Sequence, residues 1–263
     1  MAAALLWSSV EGLMRMHLLT AIVVLASLAI LASPLPASAQ ADQAKRIRDA
    51  AAVFTEIMSV PDKAIPSEIL EEAEAVAVFP NLIKAGFVFG GQRGKGVISL
   101  RDRETGTWSR PGFLTLTGGS WGAQIGGEAI DLVLVVMNRK GVDSLVSSKF
   151  KIGGEASAAA GPVGRSAEAS TDAALRAQIL SYSRSRGLFA GVTVNGSVVE
   201  PDEDSNEAFY GHPYTTVELV GRAATGTSGE AGRTAGAAPR SADQQAVAEW
   251  HQTLSRFFTA ARR

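Results

Sequence analysis

The chain has 263 residues, of which 46% are hydrophobic and 19% are charged, and its formal net charge is −1. This composition is typical of a globular protein, and the near balance of acidic and basic side chains argues against a nonspecific nucleic-acid-binding protein. The sequence contains no cysteine, which excludes disulfides, thiol nucleophiles, zinc–cysteine sites and a lipidated N-terminal cysteine. With three histidines in all, we expect no metal site, and no motif calls for a cofactor.

The first 39 residues have the pattern of a secretory signal peptide. Arg15 precedes the apolar run 17–31, and the segment ends in an A-x-A site at Ala37 to Ala39. The run is shorter than the roughly 20 residues of a spanning helix, although an uncleaved anchor is the alternative. We therefore expect cleavage near Ala39 and a periplasmic or secreted protein, peripheral on a membrane. Candidate start residues are Met1, Met14 and Met16.

The remaining chain divides into three parts, of which residues 40–221 predict one domain. Residues 222–242 are rich in Gly, Ala, Ser and Thr without periodicity, which is typical of a flexible linker. Residues 243–263 predict an amphipathic helix. Its apolar face carries Val247, Trp250, Leu254, Phe257 and Ala261. This face either packs on the domain core or binds a membrane or a protein partner, for which Trp250, Leu254 and Phe257 are the candidate contacts.

Two helices open the predicted domain. Residues 41–59 place Ile47, Ala51, Phe54 and Met58 at helical spacing. This helix either packs on the core or, through its basic side chains, lies on an anionic membrane. A short helix over residues 66–73 follows, with a proline at its start and acidic residues in its first turns.

A series of strands broken by glycine follows the helices. The predicted strands cover residues 75–79, 85–89, 96–100, 112–117, 129–137, 152–160, 177–182, 188–194 and 198–199, with one helical turn at 142–147. The strand 129–137 is apolar on both faces apart from Asp131, so we expect it to be central. Asp131 then needs backbone amides or an arginine as partner, in a structural role. The pattern predicts an α+β fold with a Gly-rich, mostly antiparallel sheet, curved toward a barrel or sandwich, and flanking helices.

Several separated motifs resemble the SYLF-domain family. They are VAVFPNLIKAGFVFGGQRGKGV (76–97), WGAQIGGEAIDLVLVVMN (121–138), FKIGGEASAAAGPVGR (150–165), SYSRSRGLFAGVTVNGSVVEPD (181–202) and NEAFYG (206–211). The resemblance spans roughly residues 42–221. It implies binding of phosphoinositides or other acidic lipids, as in the endocytic, actin-associated eukaryotic members. Bacterial members are exported, and no actin partner is expected for an exported bacterial protein.

Basic side chains cluster in two stretches of the predicted domain. Residues 84–110 hold six basic and two acidic residues, residues 139–165 hold five and two, and residues 200–218 hold six acids and no Lys or Arg. Such a surface either attracts anionic headgroups or consists of solvated edge charges. The candidate headgroup-binding residues are Lys84, Arg93, Lys95, Lys149, Lys151 and Arg165. Glycine amides beside Arg93, Lys95 and Arg165 could also hold a phosphate.

Three motifs suggest other chemistry, and each departs from its pattern. Residues 118–122 match G-x-S-x-G, with Ser120 as nucleophile and His212 downstream, but a strand-like pattern follows where the motif needs a helix. Residues 202–206 copy the opening of a calcium loop without its glycine, so a turn or helix cap is favoured. Residues 90–96 resemble a phosphate loop, but Gly96 stands where Ser or Thr is required.

The sequence therefore predicts an exported, non-enzymatic module that binds acidic lipid or phospholipid headgroups at a membrane surface. No residue is assigned a catalytic role. The alternative is an envelope structural or interaction protein that recruits a protein partner through its C-terminal helix.

Overall fold

The computed structural model describes residues 37–60, 64–86, 89–121, 126–154, 157–163, 176–185, 188–192, 194–221 and 241–261. The fold is that of the compact unit Ser38–Arg263. The predicted signal segment before residue 37 and most of the predicted linker lie outside the described residues. Among the described helices, none combines the length and apolarity needed to span a bilayer.

The described elements are six helices and nine strands. The helices are α1 (Ala37–Met58), α2 (Ser67–Glu72), α3 (Arg139–Ser147), α4 (Glu203–Tyr210), α5 (Thr216–Gly221) and α6 (Ser241–Ala261). The strands are β1 (Ala75–Gly86), β2 (Phe89–Leu100), β3 (Gly112–Trp121), β4 (Gly126–Val136), β5 (Phe150–Lys151), β6 (Ala158–Ala160), β7 (Ile179–Ser185), β8 (Leu188–Gly191) and β9 (Val198–Pro201).

All nine strands form one curved sheet. Its order is β5-β9-β3-β2-β1-β4-β7-β6, and β8 also pairs with β7. The pairing is antiparallel except between β6 and β7. The predicted α+β class with a curved, mostly antiparallel sheet is confirmed. The apolar strand β4 lies between β1 and β7, as its sequence predicts.

The two faces of the sheet bury separate apolar cores. On one face, here called the α1 face, Val76, Val78 and Val97 pack with residues of α1, α2 and α6. On the opposite face, here called the α3 face, Phe79 and Leu132 pack with residues of α3 and α5. Successive residues of a strand point to opposite faces, so the register assigns each side chain to one face or the other.

The helix α1 crosses the α1 face. Ile47, Ala51 and Phe54 are fully or almost fully buried against the sheet, which confirms core packing for this helix. Midway along it, Arg46 binds Asp202, which follows β9, and near its end Glu56 binds Arg184 on β7. The helix therefore spans the sheet from the β9 side to the β7 side and leaves one end of this face uncovered by described residues.

An irregularity in β1 shapes the sheet beside α1. The pairing of β1 with both neighbours shifts register between Val78 and Ile83, and Asn81 there has a positive φ of 51°. Opposite this bulge, a Cβ on Gly96 would lie 2.5 Å from the Phe79 ring and 2.6 Å from the Val78 carbonyl oxygen. The glycine is therefore required by close packing, as expected where backbones approach each other at a bulge.

Several strands are longer than the sequence predicts. The sequence predicts separate strands over residues 85–89 and 96–100, which leaves the glycines 90, 91 and 94 in a connection. These glycines lie inside β2, so this prediction is wrong. Neighbouring strands on both sides supply the hydrogen bonds and packing that a Gly-rich segment lacks by itself. The helices α4 and α5 are further elements that the sequence analysis does not predict as helices.

Candidate functional site

A solvent-open cleft of about 420 Å³ lies between α1 and the β1–β2 pair, beside the bulge. Four of its lining residues are basic and two are acidic, and the full lining is Asp42, Lys45, Arg46, Asp49, Pro80, Asn81, Ile83, Arg93, Gly94 and Lys95. The cleft is therefore positively charged on balance. Arg93 and Lys95, two of the predicted headgroup-binding residues, both point into it because they are two residues apart on one strand.

The cations of the cleft differ in how they are paired. Lys45 binds Asp49 one helical turn away at 2.6 Å. Lys95 and Arg46 both bind the Asp202 carboxylate, at 3.4 and 3.2 Å. Arg93 is exposed, and no ion pair to it is found among the described residues. Arg93 is thus the cation most available to an anionic ligand.

Burial and neighbouring charges shift the pKa values of Arg46 and Asp202. Burial lowers the pKa of the Arg46 guanidinium, and the Asp202 carboxylate opposes that shift. For Asp202, burial pushes the carboxyl pKa upward, but the hydrogen bond from Ser205 and the charges of Lys95 and Arg46 outweigh it. The pKa of Asp202 therefore lies below its ordinary value, and this carboxylate is ionised at neutral pH.

A row of residues continues from the cleft across the uncovered end of the α1 face. The cross-strand register joins Lys151, Val198, Thr117, Arg93 and Ile83, in that order, from β5 to β1. We call these five residues the cross-strand row. Lys151 and Arg93 are exposed, and Ile83 is 59% exposed. Four strand spacings make the row about 19 Å long.

The remaining predicted headgroup-binding residues lie elsewhere. Lys149 is exposed and binds Glu200 at 3.3 Å, next to the cross-strand row. Lys84 follows Ile83 on β1 and therefore points to the α3 face, away from Arg93 and Lys95. Arg165 lies outside the described residues. The structure thus brings four of the six candidates to one face and separates Lys84 from them.

Asp131 fixes the bulge that forms one wall of the cleft. One carboxylate oxygen accepts a hydrogen bond from the Asn81 amide at 3.0 Å, and the other accepts two from Arg184. Arg184 also binds Glu56 on α1. The predicted structural role of Asp131, with backbone amides or an arginine as partner, is confirmed, and both kinds of partner are present.

The serine-hydrolase arrangement is absent from the described part of the chain. Ser120 lies inside β3, paired with Gly90, and not at a strand-to-helix turn. His212 follows Tyr210, whose hydroxyl donates to the Pro111 carbonyl beside the start of β3. Ser120 lies at the far end of that strand, roughly 25 Å away at the usual rise per residue. The two residues are therefore too far apart to form a nucleophile–base pair.

The acidic segment after β9 is a helix cap, as favoured from its sequence. Asp202 is the N-cap of α4 and accepts a hydrogen bond from the Ser205 amide. Asn206 is fully buried and binds the Phe113 amide, Glu203 and Thr216. No group of three His, Asp or Glu side chains that could hold a metal is found in the described residues.

The resemblance to a phosphate loop is not supported by the backbone. Residues 90–96 form an extended strand between β1 and β3, so their amides do not converge on a point. The suggestion that glycine amides beside Arg93 and Lys95 hold a phosphate is therefore wrong. At this end of the sheet, the candidate donors to a phosphate are therefore side chains.

The C-terminal helix α6 packs on the core. Trp250 and Leu254 are fully buried, and the Trp250 indole donates to the Ser99 hydroxyl at 2.9 Å. Phe257 is half-buried, with its ring edge-on to Phe54. The predicted use of Trp250 and Leu254 as contacts for a protein partner is therefore wrong for the docked helix, because both side chains are taken up by the core.

Part of the cleft is not predicted from the sequence. Lys45 and Arg46 come from α1, and Ile83 and Asn81 come from the bulge. The cations of α1 are a visible signal, since residues 45–48 carry three of them. The partner of Arg46, Asp202, is 156 residues away, and that pairing was not visible in a local pattern.

Comparison with known proteins identifies relatives of this chain. A family model described as Las17-binding protein actin regulator, Ysc84, matches residues 117–233. LAS seventeen-binding protein 3 of Saccharomyces cerevisiae is 38% identical over 162 residues, which is 60% of this chain and 35% of the yeast protein. SH3 domain-containing YSC84-like protein 1 of Homo sapiens is 33% identical over 181 residues, which is 68% of this chain and 52% of the human protein.

The chain thus spans about a third of the yeast relative and about half of the human one. The family model covers the strands β4 to β9 and the helices α3, α4 and α5. The family resemblance of the sequence motifs is confirmed by both comparisons. Residues 117–233 thus match the SYLF-domain family, the family of Ysc84, and the relatives are Ysc84-like proteins.

Proposed function

We propose that the domain binds acidic phospholipid headgroups at a membrane surface, with the cleft and the cross-strand row facing the bilayer. The observation that carries this proposal is the exposure of Arg93, Lys95 and Lys151 on one face, beside exposed Ile83. The cations attract anionic headgroups, and the isoleucine adds an apolar contact at the interface.

The charge on this face is sufficient for reversible binding. Each Lys or Arg near an anionic membrane contributes roughly 1 kcal/mol, so Arg93 and Lys151 contribute roughly 2 kcal/mol before competition by salt. Lys95 adds less than a free cation does, because it is paired with Asp202. Such an interaction is screened over a Debye length of about 8 Å at physiological ionic strength. Binding through this surface is therefore selective for anionic vesicles and is released in high salt.

A vesicle co-sedimentation assay tests the proposal. Wild-type protein is compared on phosphatidylcholine vesicles with and without phosphatidylserine, together with the triple variant R93Q/K95Q/K151Q. The variant K84Q is the matched control, since Lys84 is a sheet lysine on the opposite face. We expect the triple variant to lose most of its binding and K84Q to keep it. Equal binding to neutral vesicles, or no loss in the triple variant, would contradict the proposal.

The proposal places the domain outside the cytoplasm, without an enzymatic activity. The support for export is the sequence pattern of residues 1–39, and the support for a binding role is the name of the yeast relative, LAS seventeen-binding protein 3. N-terminal sequencing of protein recovered from cell fractions tests export. We expect a mature N-terminus at or near Gln40 in the exported fraction, and recovery of the intact leader from Met1, Met14 or Met16 would contradict cleavage.

A protein partner is the second candidate function, favoured by the name of the yeast relative, LAS seventeen-binding protein 3. On α6, the exposed positions Gln252 and Arg256 remain accessible while Trp250 and Leu254 are buried. Pull-down with the intact chain and with Q252E/R256E separates the two functions. Loss of a captured partner in that variant, with lipid binding unchanged, supports recruitment through the exposed side of α6.

A further inference from the structure

Three donors converge on a single oxygen of Asp202. Its Oδ2 atom lies 2.7 Å from the Ser205 hydroxyl, 3.2 Å from Arg46 Nη1 and 3.4 Å from Lys95 Nζ. Arg46 also donates to the Ser205 hydroxyl at 3.4 Å. This is an arrangement that would bind the oxygen of any anion, and here the chain's own carboxylate occupies it.

The two cations of this arrangement also line the cleft, whereas Asp202 does not. The Asp202 and Arg46 side chains are only 10% and 11% exposed, but Lys95 is 51% exposed. The carboxylate therefore contacts the cations from the protein side, and a ligand in the cleft meets them from the solvent side. A flexible lysine stem lets the Lys95 ammonium exchange one anion for the other.

We infer that the Asp202 carboxylate and an anionic ligand compete for the same cations of the cleft. The phosphate group of a bound headgroup then draws Lys95 away from Asp202. Arg93, on the same strand face, and Arg46 complete the phosphate contacts. This inference rests on the proposed function, since it names the ligand group and the regulation of the same site.

A phosphate group suits this exchange better than a carboxylate does. Lys95 and Arg93 have Cα atoms about 7 Å apart on the strand, and the several oxygens of a phosphate can contact both side chains together. The Asp202 carboxylate offers Lys95 one oxygen, which is shared with two other donors. The site therefore responds to a phosphate group with net negative charge, either on an anionic lipid or free in solution.

The capping role of Asp202 can be separated from its charge. The other carboxylate oxygen, Oδ1, accepts the Ser205 amide at the start of α4. Asparagine is as good an N-cap as aspartate, so D202N keeps that hydrogen bond and removes the competing charge. The matched control is D204N, which makes the same change of net charge at an exposed position two residues along.

The experiment measures binding of full-length wild type, D202N, D204N, K95Q and D202N/K95Q to phosphatidylcholine vesicles containing phosphatidic acid. We expect D202N to bind roughly fivefold more tightly than wild type, the effect of about one charge near a membrane. D204N should gain clearly less. The gain from D202N should shrink in the K95Q background, because the freed ammonium is then missing.

A second arm titrates the same proteins with inorganic phosphate and follows the amide signals of the cleft by NMR. Perturbation at the cleft that is stronger in D202N than in D204N identifies free phosphate as a ligand. A gain confined to vesicles identifies the lipid headgroup as the source. Either result supports the exchange of Lys95 between Asp202 and phosphate.

The inference and the proposed function fail in distinguishable ways. Equal gains for D202N and D204N, or a D202N gain that persists fully in K95Q, would show a bulk charge effect and overturn the inference alone. If neither arm detects binding by wild type or D202N, both are overturned. Thermal unfolding of each variant shows whether α4 has kept its cap, and a folded D202N/K95Q variant keeps the comparison valid.

Discussion

Arg184 on β7 holds the Asp131 carboxylate of β4 with two N–H donors, at 3.1 Å from Nε and 2.8 Å from Nη2. The other oxygen of Asp131 receives the Asn81 amide from the β1 bulge, and Arg184 also binds Glu56 on α1. Three strands and one helix are thus joined through one ion-pair network. The network positions the bulge wall of the cleft and connects it to α1 through Arg184 and Glu56.

We expect D131N to destabilise the protein by about 1–3 kcal/mol, because it weakens the hydrogen bonds that Asp131 accepts from Arg184 and from the Asn81 amide. The Asp131 side chain is only 13% exposed, so water does not readily replace these bonds. Urea unfolding measures the effect. D143N is the control, since Asp143 pairs with Arg139 on the surface of α3 with 60% of its side chain exposed. That variant should change stability by less than about 1 kcal/mol. Equal losses in both would mean that the Asp131 network adds nothing beyond a surface pair.

Gly96 is predicted to tolerate no side chain. A Cβ there would overlap the Phe79 ring and the Val78 carbonyl, so G96A should destabilise by about 1–3 kcal/mol through overpacking. Gly119 on β3 is the matched control, because a Cβ there has no neighbour within 4 Å. G119A should be neutral or slightly stabilising, by up to about 1 kcal/mol. Chemical denaturation measures the free energy of unfolding of both variants. A G96A variant as stable as wild type would contradict the close packing of the bulge.

The local features of the fold were the predictable ones. The apolar run of β4 indicated a central strand, and the lone Asp131 within it indicated backbone amides or an arginine as its partner. The stripe of Ile47, Ala51 and Phe54 indicated a helix packed on the core. Each of these conclusions depends only on the spacing of residues along one element, which the sequence contains directly.

The relationships between distant segments were not predictable in this way. The Gly-rich residues 90–94 have low intrinsic strand propensity and form a strand because β1 and β3 pair with them. The bulge at Asn81 reverses which face later residues occupy, and this separates Lys84 from Arg93 and Lys95. The placement of Arg46 beside Asp202 depends on how α1 crosses the completed sheet.

Docking of α6 should weaken in acid through His251. Burial lowers the pKa of this imidazole, and the hydrogen bond with the Ser109 carbonyl at 2.8 Å opposes the shift only in part. The unfolded chain therefore takes up a proton first, near its ordinary pKa of about 6.5, and stability falls as the pH decreases below that value. Above it, both states are neutral at this position and the group has no effect.

The variant H251Q isolates this contribution, since glutamine keeps a donor for the Ser109 carbonyl and does not titrate. Stability of wild type minus that of H251Q, measured by urea unfolding from pH 8 to pH 5, should decrease below about pH 6.5. Carboxylates affect both proteins alike and cancel in the difference. A difference that stays constant over this range would show that His251 is not responsible.

Ile83 is predicted to enter the membrane interface when the domain binds, since it lies in the cross-strand row between Arg93 and Ala129 and is 59% exposed. In I83W, vesicles containing phosphatidylserine should shift tryptophan emission to shorter wavelength, because the indole moves from water into the headgroup region. L188W is the control: Leu188 is 69% exposed, but its pairing with Ser185 places it on the α3 face. A larger shift in L188W than in I83W would mean that the opposite face meets the membrane.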